Sequence, residues 1–476
     1  MLAPLAGLAL FAIVPVWATP AADLNVSLDT AESYDCDAAC YEILQTMTEF
    51  DHEYFGTDFD WDFYATADNF STAALGDLLK LEPVDPTTLS TKSGVSVYHI
   101  QYVSEDYDGS LVPATGFIAL PYSLPDSGKF PLIAYAHGTS GAYRGCAPSN
   151  GPELYDYDSW NLLVERGYAV VATDYAGLGN NYTEHKYCAF SVNAKDVFHS
   201  VTAARHAFGS VLTAEWMGVG HSQGGAAAWK LAEDVVELSA AAGTTEAANY
   251  LGTVALAPAV KIWGLMSELV TDIFPRDDFH SYAISTYVPL ITIAVSRIFP
   301  EFSGSILGDV MKKRMGLIDE AQLCIMGAAG LTLDLSVDEL TTIGPNGPGA
   351  TAEDLEIIQK YQNATAPVNG GKAHGPILVV QGENDTAVLA QVVVQAYEDA
   401  CADGNEVHLT LYPKQDHSGV ITAAAPEWLR WVDSQFDSTR REVTATGECT
   451  KITKQPFDYE YVKAEPEIDL STNSLN

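Results

Sequence analysis

The run Trp216-Met217-Gly218-Val219-Gly220-His221-Ser222-Gln223-Gly224-Gly225-Ala226 decides how this chain is read. Its centre, Gly220 to Gly224, fits the pattern G-x-S-x-G. A strand-like stretch precedes it and an alanine-rich, helix-like stretch follows. A strand that turns sharply into a helix holds a serine at the tip of a strained turn with its hydroxyl exposed. The flanking glycines suit that turn, because it brings backbones together where a Cβ would not fit. An ordinary glycine-rich turn could carry the same string, so the chemical reading depends on an acid and a base further along.

Both occur where that reading needs them. The strand-like Ile377–Val380 runs into Gln381-Gly382-Glu383-Asn384-Asp385, and Val407–Tyr412 runs into Pro413-Lys414-Gln415-Asp416-His417-Ser418-Gly419. The order Ser, acid, His is that of a hydrolase built on a parallel sheet. Asp385 is expected to orient the imidazole of His417, and His417 to take the proton of Ser222 Oγ. Glu383, Asp416 and His408 are the nearest rivals; His408 lies inside its strand and is the weaker base. Acyl transfer also needs hydrogen-bond donors for a developing oxyanion. One is expected from the backbone N–H of Gln223. The other comes from the turn after the apolar run 131–136, with Thr139 first and Gly138 second. His137 reads as a structural hydrogen-bonder, and His221 and Tyr175 at most support the site.

Around these motifs the chain alternates. Strands are expected over 95–103, 114–120, 131–136, 168–172, 215–219, 252–256, 377–380 and 407–412. Helices are expected over 41–50, 160–166, 194–208, 226–238, 389–399 and 427–436. Strand–helix alternation of this kind gives a mostly parallel sheet flanked by helices. Between Val260 and His374 it stops. That stretch is apolar and helix-like, with Trp263 to Val270 and Ile291 to Phe299, and is far too long for a connection. It reads as an inserted helical cap.

Composition sets the outer bounds. The chain has 476 residues, 47% of them hydrophobic, which supports a large core and excludes a disordered or collagen-like chain. Its 63 acidic residues against 24 Lys and Arg give a formal charge of −39, which disfavours nucleic acid and anionic lipid heads as partners. Leu2 to Val16 is apolar and uncharged, and Val16-Trp17-Ala18 suits a signal peptidase. Five N-x-S/T sequons occur, at Asn25, Asn69, Asn181, Asn363 and Asn384, against roughly two expected by chance. Asn384 is set aside because its sequon spans Asp385. The seven cysteines carry no zinc-site spacing and read as two or three disulfides plus one odd thiol. Cys36 and Cys40, one helical turn apart, pair locally or not at all. No metal and no cofactor is expected.

Taken together, Ala136-His137-Gly138-Thr139, Cys146-Ala147-Pro148-Ser149, Asp174-Tyr175-Ala176-Gly177-Leu178-Gly179, Gly220-His221-Ser222-Gln223-Gly224-Gly225 and Gly382-Glu383-Asn384-Asp385 resemble the secretory lipase family of α/β-hydrolases, the lipase-A-like fungal enzymes and their actinobacterial relatives. They span most of residues 75–437. The resemblance implies an α/β-hydrolase sheet with a helical cap and a secreted carboxyl-ester hydrolase with nucleophile Ser222, acid Asp385 and base His417. It also implies a disulfide in the Cys146 region and one after the acid strand. Cys401 and Cys449 are the expected pair at the second place, since their bond would pin the tail to the body. Cys146 with Cys324 is the other, with Cys188 competing for either partner. The expected organisation is a signal peptide over 1–18, a core from 19–259 and 375–440, a helical extension over 19–80 within that core, a cap over 260–374 and a charged, loop-like tail over 441–476. The substrate is expected to be a small-molecule or lipid ester, with transient contact to a lipid interface through the cap. A peptidase or amidase of the same fold, and a non-catalytic binding protein of that fold, are the alternatives.

Overall fold

The computed structural model describes residues 22–439 and 447–464. The expected signal peptide, 1–18, lies outside the described residues. Among the described residues ten strands form one sheet: β1 (Leu78–Pro83), β2 (Ser96–Glu105), β3 (Leu111–Leu120), β4 (Phe130–Ala136), β5 (Ala169–Thr173), β6 (Leu212–His221), β7 (Tyr250–Leu256), β8 (Ile377–Gly382), β9 (Val407–Tyr412) and β10 (Thr450–Thr453). Their spatial order is β1-β2-β3-β5-β4-β6-β7-β8-β9-β10. From β5 to β10 every neighbour is parallel, while β1, β2 and β3 join antiparallel.

The parallel strands are buried on both faces, and alternate residues serve two cores. Ile133, Tyr135, Met217, Val219, Val254 and Val380 pack on one side with Trp428 and Val432 of the helix Gly419–Phe436. Leu132, Ala134, Ala255 and Val379 pack on the other, with the helices Phe190–Phe208 and Gln223–Ala241. Continuous apolar runs such as Phe130–Ala136 are what such strands require.

Two strands lie where the sequence reading had none. β1 falls at the end of the supposed helical extension; its Leu-Leu-Lys-Leu-Glu-Pro has no buried residue and ends in proline, which a sheet edge tolerates. β10 falls in the supposed loop-like tail. It is short, charged and fully exposed, and it pairs with β9 beside the Cys401–Cys449 disulfide. The last core helix begins at Gly419 rather than Glu427, with Pro426 inside it. A proline normally ends or kinks a helix, which is why the sequence reading started the helix after it.

Cys36–Cys40, Cys146–Cys324 and Cys401–Cys449 are bonded, and Cys188 is a buried free thiol. Cys188, the competitor for either Cys146 or Cys324, pairs with neither. Residues 260–374 carry helices at Ile262–Glu268, Val288–Ile298, Asp309–Ala321 and Ala352–Thr365 and no named strand. Among the described residues no helix is long and apolar enough to cross a membrane. Asn25, Asn69, Asn181 and Asn363 are exposed, and so is Asn384.

Candidate active site

Ser222 sits between β6 and the helix Gln223–Ala241 with φ 57° and ψ −119°, a conformation that costs a non-glycine residue free energy. Its surroundings hold it there. Its N–H donates to Leu256 O at 2.9 Å, and its carbonyl accepts from Ala259 N at 3.1 Å. The glycines on either side are sterically required. A Cβ on Gly220 would lie 2.2 Å from Gly224 O, and one on Gly224 would lie 1.9 Å from Ala136 O.

Two further strand ends bring Asp385 and His417. Asp385 follows β8 and is buried. Its Oδ1 accepts from the amides of Ala387 and Val388 at 2.9 and 2.7 Å. Its Oδ2 accepts from Gln381 Nε2 at 2.9 Å and from His417 Nδ1 at 2.8 Å. With its Nδ1 proton given to Asp385, a neutral His417 ring keeps Nε2 free to accept. His417 and Ser222 line one cavity of about 400 Å³.

The rivals are otherwise engaged. Asp416 lines the cavity, but its Oδ1 accepts from Gly419 N at 2.6 Å, at the start of the last helix. Glu383 is exposed. His408 pairs with Thr450 Oγ1 and Glu406 at the β9–β10 edge, at 2.9 and 3.1 Å.

The loop His137-Gly138-Thr139 after β4 is held by tyrosines. Tyr175 Oη donates to His137 O at 3.0 Å, and Tyr155 Oη to Thr139 O at 2.5 Å. Tyr157 Oη accepts from Gly138 N at 3.1 Å, and Tyr187 Oη meets Thr139 Oγ1 at 2.9 Å. The His137 ring sits inside the loop, its two nitrogens 2.6 Å from Gly138 O and 3.1 Å from Asp174 O, and with one N–H on a neutral ring it donates to one of these carbonyls. Burial lowers its pKa to about 4, so it is neutral there. Gly138 N is thus occupied. The Thr139 amide has no hydrogen-bond partner among the described residues. The Gln223 amide opens a helix, where N–H groups lack intrahelical acceptors.

Sequence reasoning missed the three tyrosines Tyr155, Tyr157 and Tyr187. Nothing in their local spacing marks them. Leu154 and Tyr155 both have positive φ, 52° and 53°, which a turn without glycine does not advertise. Tyr54, from the helix Ala38–Phe55, also lines the cavity and was not anticipated. Residues from the 260–374 segment complete the wall, among them Thr286, Tyr287, Ile325 and Met326. Among the described residues no group of three or more His, Cys, Asp or Glu side chains is placed to hold a metal ion.

No family model and no curated protein matches the chain by sequence. Solved structures do match. Candida antarctica lipase A is 18% identical, with TM-score 0.59 over 79% of this chain and 85% of that one. The rice cell wall degrading esterase LipA from Xanthomonas oryzae is 19% identical, with TM-score 0.56 over 77% and 100%. A hydrolase described as putative from Legionella pneumophila is 17% identical, with TM-score 0.58 over 76% and 98%. At these identities the likeness establishes the fold, the α/β-hydrolase sheet with its flanking helices.

Proposed function

We propose that this protein is a secreted serine carboxyl-ester hydrolase. The observation that carries the reading is the 2.8 Å bond from His417 Nδ1 to Asp385, in a cavity that also exposes Ser222 on its strained turn. Two of the similar structures are a lipase and an esterase, and the fold shared with them supports the same class.

His417 Nε2 takes the proton of Ser222 Oγ as that oxygen bonds to the ester carbonyl carbon. The carbonyl oxygen becomes an oxyanion, facing the amides of Gln223 and Thr139. The intermediate collapses, the alcohol leaves, and His417 returns the proton to it. An acyl group now sits on Ser222. Water attacks it by the same steps, with His417 as base again, and frees the acid and the serine. Asp385 keeps the ring in its Nδ1–H tautomer and stabilises it when charged.

The 260–374 segment serves as a cap. Its side chains form much of the cavity wall, so they select the acyl group. Three disulfides and exposed sequons support an oxidising, extracellular setting. The test is hydrolysis of p-nitrophenyl esters of graded chain length beside aminoacyl p-nitroanilides, with Ser222→Ala as control. Ester turnover that Ser222→Ala removes is expected. Anilide cleavage without ester cleavage would move the protein to the amidases.

A further inference from the structure

We propose that Tyr157 and His221 are positioning residues that lock the loop after β4 to the loop carrying His417, through one directional chain of hydrogen bonds. The inference rests on the proposed Ser222 chemistry and adds the groups that hold its two halves in register.

Three contacts build the chain. Gly138 N lies 3.1 Å from Tyr157 Oη. Tyr157 Oη lies 3.1 Å from His221 Nδ1. His221 Nε2 lies 3.0 Å from the carbonyl oxygen of His417. The directions follow from the ends. A carbonyl has no proton to give, so His221 Nε2 is the donor to His417. A neutral imidazole then has a bare Nδ1, which only accepts. Tyr157 must therefore donate to Nδ1. Its remaining lone pair accepts the Gly138 N–H. Every proton in the chain has one place to be.

The protonation states agree with this. His221 is buried, and burial pushes its pKa far below the ordinary imidazole value, with the nearby His417 ring adding to the effect. Burial pushes the Tyr157 hydroxyl up to about 12, so it keeps its proton to donate.

The chain spans a gap that the other braces leave. Tyr155 and Tyr175 hold Thr139 O and His137 O, and these bonds end on the loop after β4. Tyr157 reaches the His417 loop through His221. Packing leaves little slack: a Cβ on Gly138 would lie 2.9 Å from Tyr157 Oη, 3.4 Å from His221 Nδ1 and 3.5 Å from Ser222 Cβ. Fixing Gly138 N in this way turns that amide away from any oxyanion role and sets the next peptide, whose Thr139 N–H is free. The same chain fixes the main chain of the general base. Displacement of reacting groups by about 1 Å can cost about a hundredfold in rate, so this coupling should be visible in turnover.

The experiment uses the full-length protein and a short p-nitrophenyl ester. Tyr157→Phe keeps the ring that lines the cavity and removes the hydroxyl. It should lower kcat by about tenfold or more with KM within about twofold, and weaken a trifluoromethyl ketone inhibitor in proportion. A residue that only forms the wall would instead raise KM. His221→Ala, made alone and with Tyr157→Phe, gives a double-mutant cycle. Members of one chain should be strongly non-additive, with the second loss adding little. Isotope-edited NMR of the wild-type imidazole nitrogens should show His221 as the Nε2–H tautomer, with Tyr157→Phe moving the Nδ1 signal. Additive losses, a change confined to KM, or an Nδ1–H tautomer would each overturn the proposal. Should the wild type hydrolyse no ester, the Ser222 reading fails, and the tautomer still decides this one.

Discussion

The carboxylate of Asp385 is wholly enclosed while the imidazole it holds, His417, keeps about a sixth of its side chain open: the exposures are 0% and 17%. The Asp385 carboxylate is held by four donors, while the His417 ring faces the cavity.

That asymmetry ranks the substitutions. Ser222→Ala and His417→Ala should each remove about 10⁶ of turnover, because nucleophile and base act as a unit. Asp385→Asn should cost about 10⁴, since an amide favours the wrong imidazole tautomer. His408→Ala should leave ester turnover unchanged, as His408 serves the β9–β10 edge. Steady-state kinetics on purified variants, with fluorophosphonate labelling of Ser222, checks the series. An inactive His408→Ala beside an active His417→Ala would reverse the assignment of the base.

Acyl preference should be set by the walls from the 260–374 segment. Tyr287→Trp narrows the cavity and should shorten the longest acyl chain accepted. Each buried methylene is worth about 0.8 kcal/mol, or about fourfold in kcat/KM. The measurement is kcat/KM across graded p-nitrophenyl esters. A uniform loss at all lengths would remove the segment from any role in selection.

The disulfide Cys146–Cys324 spans 178 residues and ties the segment after β4 to the 260–374 segment. Ile325 and Met326, which follow Cys324, line the cavity. In the chain-entropy model a closure of this length is worth about 5 kcal/mol. Cys146→Ser with Cys324→Ser should therefore lower the thermal midpoint strongly and raise KM. Scanning calorimetry and kinetics on the double variant test both. An unchanged midpoint would show that other contacts fix the 260–374 segment.

Stability should fall as pH rises through neutrality, because of Asp23 and Asp51. Asp23 accepts from Cys324 N at 3.1 Å, and Asp51 accepts from Met326 N and Gly327 N at 3.0 and 2.7 Å. Burial is the main cause that raises both pKa values, Asp23 from 3.8 to about 7. The folded pair thus holds protons that the unfolded chain has released. Its contribution is full below about pH 4 and is lost as pH climbs through about 7. Asp23→Asn keeps an acceptor for Cys324 and supplies a permanent donor to Asp51. It should flatten the difference in thermal midpoint between about pH 5 and about pH 8. A wild-type midpoint that rises over that window would contradict the assignment.

The sequence by itself determined the sheet's parallel body, the sharp turn at Ser222, and the placing of Asp385 and His417 just past two strand ends. Those features are local. An apolar run buried on both faces, a glycine forced by a close approach, and a polar residue just past a strand end all follow from short-range geometry. The same locality explains the two strands the sequence hid. β1 and β10 are edge strands, and an edge needs neither an apolar face nor alternation to pair. Only the tertiary structure decided which cysteine joined Cys146, which amide of Gly138 and Thr139 stays free, and that Tyr54, Tyr155, Tyr157 and Tyr187 surround the site. These depend on contacts between segments far apart in sequence: Tyr187 meets Thr139 across 48 residues, and His221 meets His417 across 196. A hydroxyl has no periodicity and marks no turn, so its partner exists only once packing has brought the two together.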